Sequence, residues 1–125
     1  MKTIKVVAAL IRKDNLIFAT QRGYGEFKDK WEFPGGKIEP NETKEEALVR
    51  EIKEELNASI TVDSFIKTVE YDYPTFHLIM DAYFCHLNNP HIELLEAENS
   101  KWIEIGETAN LDWLPPDLEL LNFIK

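Results

Sequence analysis

Residues 35–58 read GGKIEPNETKEEALVREIKEELNA, and the rest of the chain is best read outward from them. Thr43, followed three residues later by Glu46, forms a capping box in which each residue satisfies a backbone N–H left free by the first helical turn. Leu48, Ile52 and Leu56 then recur at intervals of four, the signature of one buried helical stripe. Asn57 stands where a helix ends in the left-handed conformation, which Asn tolerates better than most non-glycine residues. The spacing predicts a helix over Lys44–Leu56.

Glu51, Glu54 and Glu55 stand at i, i+3 and i+4 and share one face of that helix. Like charges at this spacing cost an isolated helix ~0.2–0.5 kcal/mol per pair. Because the acidic stripe borders the apolar one, water screens the repulsion incompletely, and a bound cation offsets it. Hard divalent ions take carboxylate oxygens, and Mg2+ is commonly shared between carboxylates and a substrate's phosphates, with Mn2+ able to substitute. The alternative is a solvated acidic face. Three features weigh against it. Gly35-Gly36 exposes backbone that can approach a ligand or lend a carbonyl to a metal. Arg50 lies four residues from both Glu46 and Glu54 and can pair with either. A separate acidic loop carries Glu93, Glu96 and Glu98, which the fold can bring to the same place. The residues alone imply a Mg2+ and phosphate site on an acidic helix.

Outward from the helix, Thr3–Arg12 and Leu16–Gln21 read as a hairpin around Lys13-Asp14-Asn15. Arg22–Lys30 is a loop, and Trp31-Glu32-Phe33 a short strand ended by Pro34-Gly35-Gly36. Ser59–Tyr73 and Phe76–Leu87 are two long strands, Asn88–Ser100 a polar loop, and Lys101–Ile105 a short strand. Glu107–Trp113 holds a turn of helix, and Pro115 or Pro116 opens a terminal helix with Leu118, Leu121 and Ile124 on one side. This order predicts an α+β fold, a mixed β-sheet between helices, formed by residues 1–125 as one domain.

The chain has 125 residues, 23 acidic and 14 basic, and a formal net charge of -9. Its 44% hydrophobic content is enough for a core. The acidic balance argues against binding a nucleic-acid polymer, whose non-specific affinity comes from Lys and Arg. No apolar run approaches the ~18 residues of a membrane span, and Val6–Ile11 is too short for a signal h-region. The one cysteine, Cys85, reads as a buried strand thiol and fits a reducing cytoplasm.

Gly36, five residues, Glu42, seven residues, then Arg50-Glu51-Ile52-Lys53-Glu54-Glu55-Leu56-Asn57-Ala58 resembles the Nudix box over residues 36–58, with Asn57 in place of the last Gly and Ala58 in the final apolar slot. Over nearly its whole length the chain is similar to the MutT branch of nucleoside triphosphate pyrophosphohydrolases, near its CTP pyrophosphohydrolase and 8-oxo-dGTP diphosphatase members. The resemblance implies a Nudix fold and hydrolysis of a (deoxy)nucleoside triphosphate to the monophosphate and pyrophosphate, a clean-up of the nucleotide pool. It further implies that Glu51, Glu54, Glu55 and the Gly35 carbonyl bind Mg2+, with Glu42 and Arg50 in support. Glu96, six residues before Trp102, matches a loop glutamate that approaches the metals or the attacking water. Glu54 and Glu96 are both candidates for the general base.

Strand Ile4–Val7, Arg22 and Pro115-Pro116-Asp117 fall where the branch lines its base pocket. Phe33, Tyr73 and Phe76 can stack on a base, and Lys37 is either a phosphate contact or a solvated lysine. An ionised Asp117 only accepts hydrogen bonds and so suits an exocyclic amine such as cytosine N4, a lean towards CTP or dCTP with 8-oxo-dGTP next. Other clean-up enzymes read oxidised guanine with a protonated Asp. Two alternatives stay open: a nucleotide sensor of the same fold without turnover, and an ADP-ribose hydrolase, suggested by Pro74 sixteen residues after Ala58. The expected partner is a small nucleotide, the expected assembly a monomer or weak homodimer.

Overall fold

The central strand, β1 (Lys2–Lys13), is buried on both faces, and its alternation sorts the core into two layers. Val7, Ala9 and Ile11 point to one side and join Leu48, Ile52 and Leu56 of helix α1 (Lys44–Leu56). Ala8 and Leu10 point to the other and join Trp31, Phe33, Trp113 and Leu120. A continuous apolar run, Val6–Ile11, is what a strand covered on both faces requires. The computed structural model describes residues 1–124.

The remaining strands are β2 (Leu16–Gln21), β3 (Trp31–Glu32), β4 (Gly35–Lys37), β5 (Ile60–Tyr73), β6 (Phe76–Leu87) and β7 (Asn99–Glu104). They form a mixed seven-stranded sheet with the path β3-β2-β1-β6-β5, β4 pairing with β1 and β7 with β2. β1 runs parallel to β6 from Lys2↔Phe76 to Ile11↔Cys85, while the other strand pairs are antiparallel. Helix α1 covers one face, and the short α2 (Pro115–Leu120) lies on the other.

Helix α1 begins and ends as its sequence predicts. Thr43 and Glu46 form the reciprocal capping box, and Asn57 is left-handed at φ 47°. At its N-terminal end Lys44 Nζ lies 3.0 Å from the carboxylate of buried Asp81 on β6, which also accepts a bond from the Thr68 hydroxyl on β5. These contacts tie the helix start to the sheet. Cys85 is buried, and burial pushes its thiol up to about 12, so it is an inert core residue.

Three expectations are corrected. Pro34-Gly35-Gly36 does not simply end a strand: Gly35 and Gly36 open β4, which pairs with Val7 and Ala8 of β1. A side chain at Gly35 would collide with the Val7 carbonyl, so glycine is required by close backbone approach. The last helix buries Pro116, Asp117 and Leu120 rather than Leu118, with Ile124 buried just beyond it: positions 116, 120 and 124 recur at intervals of four, and Leu118 falls on the opposite side. β7 starts two residues earlier than predicted, extended by its pairing with Thr20 and Gln21 of β2.

Leu120 is fully buried and Leu118 is 53% exposed. Leu120→Ala is therefore expected to lower the unfolding free energy by about 2–5 kcal/mol and Leu118→Ala by less than about 0.5 kcal/mol, read from urea denaturation. Equal losses would contradict the orientation of α2.

Candidate active site

The β1–β4 pairing places Gly35 and Gly36 against the middle of α1 and makes the floor of a cleft. The Gly35 N–H donates to Glu55 Oε2 at 3.3 Å. Gly36 has no side chain, and the Glu51 carboxylate fills the space a Cβ would take. The two glycines thus allow two of the three predicted carboxylates to approach the sheet.

The three carboxylates differ in environment. Glu55 is buried and points into the cleft, and its pKa is pushed up to about 8, first by burial and then by repulsion from Glu32, Glu96 and Glu51. Glu51 is half-buried and shifted upward mainly by burial, against the pull of Arg50. The Glu54 side chain is 57% exposed, and neither it nor Glu51 is among the residues that line the cleft.

Arg50 is the hub of this end. Its Nη1 donates to Glu51 at 2.9 Å and to Glu54 at 3.1 Å. Its Nε and Nη2 clasp both oxygens of Glu42 at 3.1 and 2.7 Å, and Nη2 also reaches the Lys37 carbonyl at 2.9 Å. The Arg50 guanidinium and the Glu39 N–H hold Glu42 below the usual carboxylate range. Arg50 does not pair with Glu46, as its spacing allowed, because Glu46 is engaged in the capping box.

Of the acidic loop, only Glu96 reaches the cleft. Glu93 bonds to Asn57 and His91, and Glu98 packs against Gly23, so both belong to other neighbourhoods. Lys37 contributes its carbonyl to Arg50, while its side chain is exposed and does not line the cleft.

The opposite end of the cleft is aromatic and polar. Tyr73 stacks on Phe76 at 4.8 Å, and Phe27 packs on Tyr73 at 5.1 Å. Phe33 is buried against Trp113, and its N–H donates to Asp117 Oδ1 at 2.9 Å. Arg22 holds Glu32 with two bonds of 2.9 and 2.8 Å. From the predicted early strand, Val6 and Val7 reach the cleft, joined by Ala8, and Ile4 does not.

Asp117 corrects the sequence reading most. It is almost fully buried, and burial together with the charge of Glu32 pushes its carboxyl up to about 8 despite the Phe33 N–H and Arg22. It is therefore chiefly neutral at pH 7, able to donate as well as accept, and the argument from an acceptor-only carboxylate does not hold.

Sequence reasoning missed Glu32, Tyr24 and Phe27 as cleft residues. For Glu32 a signal existed, since a charge between the buried aromatics Trp31 and Phe33 faces away from their packing.

The cleft, about 220 Å³, is smaller than the ~300–1,000 Å³ of sites that enclose a whole drug-sized ligand. It can take a base and leave a chain of phosphates at the open carboxylate end. The donor set there, several carboxylate oxygens and a backbone carbonyl, is that of a hard divalent cation. Burial of Glu55 among three further glutamates, with Arg50 paired to Glu51 and not to it, fits such an ion. Among the described residues no three such side chains converge on one point, because Arg50 holds Glu51 and Glu54.

The family model for the NUDIX domain matches residues 1–122. The CTP pyrophosphohydrolase of Escherichia coli (strain K12) is 34% identical over 125 residues, covering 98% of this chain and 91% of that protein. The 8-oxo-dGTP diphosphatase of the same organism is 39% identical over 118 residues, covering 93% and 91%. The solution structure of the E. coli ORF135 protein superposes with a TM-score of 0.84 at 32% identity, covering 98% of this chain and 89% of that one.

The raised carboxyls predict a direction of pH dependence. Glu55 and Asp117 titrate near 8 when folded, against ordinary values of 4.5 and 3.8. Their contribution to stability is full at low pH and falls as pH rises from the ordinary values towards 8, because the folded state keeps protons that the unfolded state releases. In chelator, the melting temperature of Glu55→Gln relative to the unaltered protein is expected to rise between about pH 5 and pH 8. Added Mg2+ should remove that trend by stabilising the ionised carboxylate. A gap that is constant with pH in chelator would contradict the burial of an uncompensated Glu55.

Proposed function

The chain belongs to the Nudix hydrolase family, and on that premise we propose that it hydrolyses (deoxy)nucleoside triphosphates to the monophosphate and pyrophosphate with Mg2+. The observation that carries this reading is the juxtaposition in one cleft of a buried carboxylate cluster and an aromatic, base-sized recess. Glu51, Glu54, Glu55 and the Gly35 carbonyl would hold the metal. When bound, Mg2+ neutralises the polyphosphate and lowers the pKa of a coordinated water.

The chain's own residues supply the rest. Arg50, fixed by Glu42 and the Lys37 carbonyl, holds Glu51 and Glu54 in place beside Glu55 on the same helical face. Glu54 on the helix, or Glu96 in the cleft, would take the proton of the attacking water. Arg22 and Glu32 lie between the carboxylate cluster and Asp117, their charges felt at Asp117 and that of Glu32 at Glu55. Phe33 and the Tyr73–Phe76 stack flank the base.

A neutral Asp117 offers a donor beside an acceptor. Cytosine matches that pair with N3 and N4, and 8-oxoguanine with O6 and N1. We rank cytosine, or a modified cytosine, first because the similarity to the CTP pyrophosphohydrolase runs through 98% of this chain. 8-Oxoguanine follows on the likeness to the diphosphatase. The lone, buried Cys85 suits the cytoplasm, where such nucleotides are found.

Pyrophosphate release from CTP, dCTP, 5-methyl-dCTP, 8-oxo-dGTP, dATP and ADP-ribose with Mg2+ tests the reading. Turnover of none would refute it in favour of a nucleotide sensor, and turnover of ADP-ribose alone would make the chain an ADP-ribose hydrolase. Glu54→Gln is expected to lower kcat at least about a hundredfold with the melting temperature unchanged. Retained activity would remove Glu54 from the proton transfer and leave Glu96. Asp117→Asn, which keeps a donor and an acceptor but fixes their positions, is expected to reorder the substrate panel. An unaltered panel would refute base reading by Asp117.

A further inference from the structure

The loop between β2 and β3 delivers two aromatic rings to the cleft, and they are in different states. Phe27 is docked, its ring 5.1 Å from Tyr73. Tyr24 lines the same cleft yet is 68% exposed, and among the described residues it stacks on no other ring. An aromatic side chain that contacts a recess while most of its surface meets water has apolar area still to bury.

The backbone around Tyr24 divides into a tightly bonded stem and a tip carried by two longer turn bonds, Lys28 N–H to Gly25 O at 3.3 Å and Lys30 N–H to Phe27 O at 3.2 Å. The stem is stapled by Arg22 N–H to Lys30 O at 2.9 Å, Asp29 N–H to Arg22 O at 2.7 Å and Gln21 Nε2 to Asp29 O at 3.0 Å. Gly23 is packed so closely that an added Cβ would lie 2.9 Å from Glu98 Cβ. Gly25, by contrast, has φ +79° and nothing within 4 Å of where its Cβ would be. Tyr24 therefore sits between a crowded glycine and an uncrowded one, and its ring can reorient about its own side-chain torsions without disturbing the stem.

We propose that Tyr24 is a base-binding residue that folds over the bound base and forms the second face of a stacking sandwich, opposite the wall of Phe27, Tyr73 and Phe76. This rests on the nucleotide reading of the cleft and adds the ligand class its outer face selects: a planar heteroaromatic base, held by area rather than by hydrogen bonds. Every base has a π-face, so Tyr24 contributes affinity to all bases and leaves discrimination between them to Asp117. The triphosphate end does not involve it, and kcat at saturation is insensitive to it.

The test is calorimetric titration of the metal-free protein with CMP, 8-oxo-dGMP and ribose 5-phosphate, together with steady-state kinetics on the turned-over triphosphate. Tyr24→Ala is expected to weaken both monophosphates about tenfold or more, to raise KM by a similar factor, and to leave kcat and ribose 5-phosphate binding within about twofold. Tyr24→Phe, which keeps the ring, is expected to bind as the unaltered protein does. Equal monophosphate binding by Tyr24→Ala and the unaltered protein would overturn the stacking role and leave the nucleotide reading standing. Loss with Tyr24→Phe as well as Tyr24→Ala would overturn stacking in favour of a hydroxyl contact. Failure of the unaltered protein to bind or hydrolyse any nucleotide would overturn the reading of the cleft, and the stacking role with it.

Discussion

One guanidinium makes this arrangement possible. Arg50 meets Glu42, Glu51 and Glu54 and a backbone carbonyl, and so keeps a run of like charges within reach of the packed interior. Planarity and permanent charge are what allow this, since one side chain presents five donors in a fixed fork. A lysine at the same place would be a single point charge. It could not hold Glu42 with two bonds while also steering Glu51 and Glu54. The compensation remains partial, because Glu55 lies beyond Arg50's reach and its carboxyl carries the residual repulsion as a raised pKa.

The two ends of the cleft are held by different parts of the fold. Helix α1, with β4 beneath it, presents the carboxylates. The β2–β3 loop, the β5–β6 hairpin end and the start of α2 present the aromatics and Asp117. Strand β1 separates them, its alternate side chains packing on α1 and on the α2 layer. A change in base recognition therefore leaves the anchoring of the carboxylates undisturbed.

Features set by local spacing were legible in the sequence. The bounds of α1, its capping box, its left-handed Asn57 and the sharing of one face by Glu51, Glu54 and Glu55 follow from residues within a few positions of each other. What was not legible arises across the fold. Glu96 and Glu98 are two residues apart and differ in role only because one opens onto the cleft while the other packs on Gly23. The protonation of Asp117 depends on the layer that buries it and on Glu32, eighty-five positions earlier in the chain. Gly35-Gly36 reads as a chain break in isolation. In context it is a strand, because β1 lies close enough to demand the absence of a side chain.

The parallel pairing of β1 with β6 also bears on how the chain reaches its native state. Along one edge residues 6–8 meet β4 at residues 35–37, but along the other residues 2–11 find their partners only at residues 76–85, so the order of synthesis leaves that edge unpaired until β6 has been made. Contacts of such high sequence separation slow folding and prolong the exposure of apolar segments. Val6–Ile11, with six apolar residues in succession, is the segment most open to self-association in that interval. It is bracketed by Lys2 and Lys5 on one side and Arg12 and Lys13 on the other, charges placed as gatekeepers against intermolecular strand pairing.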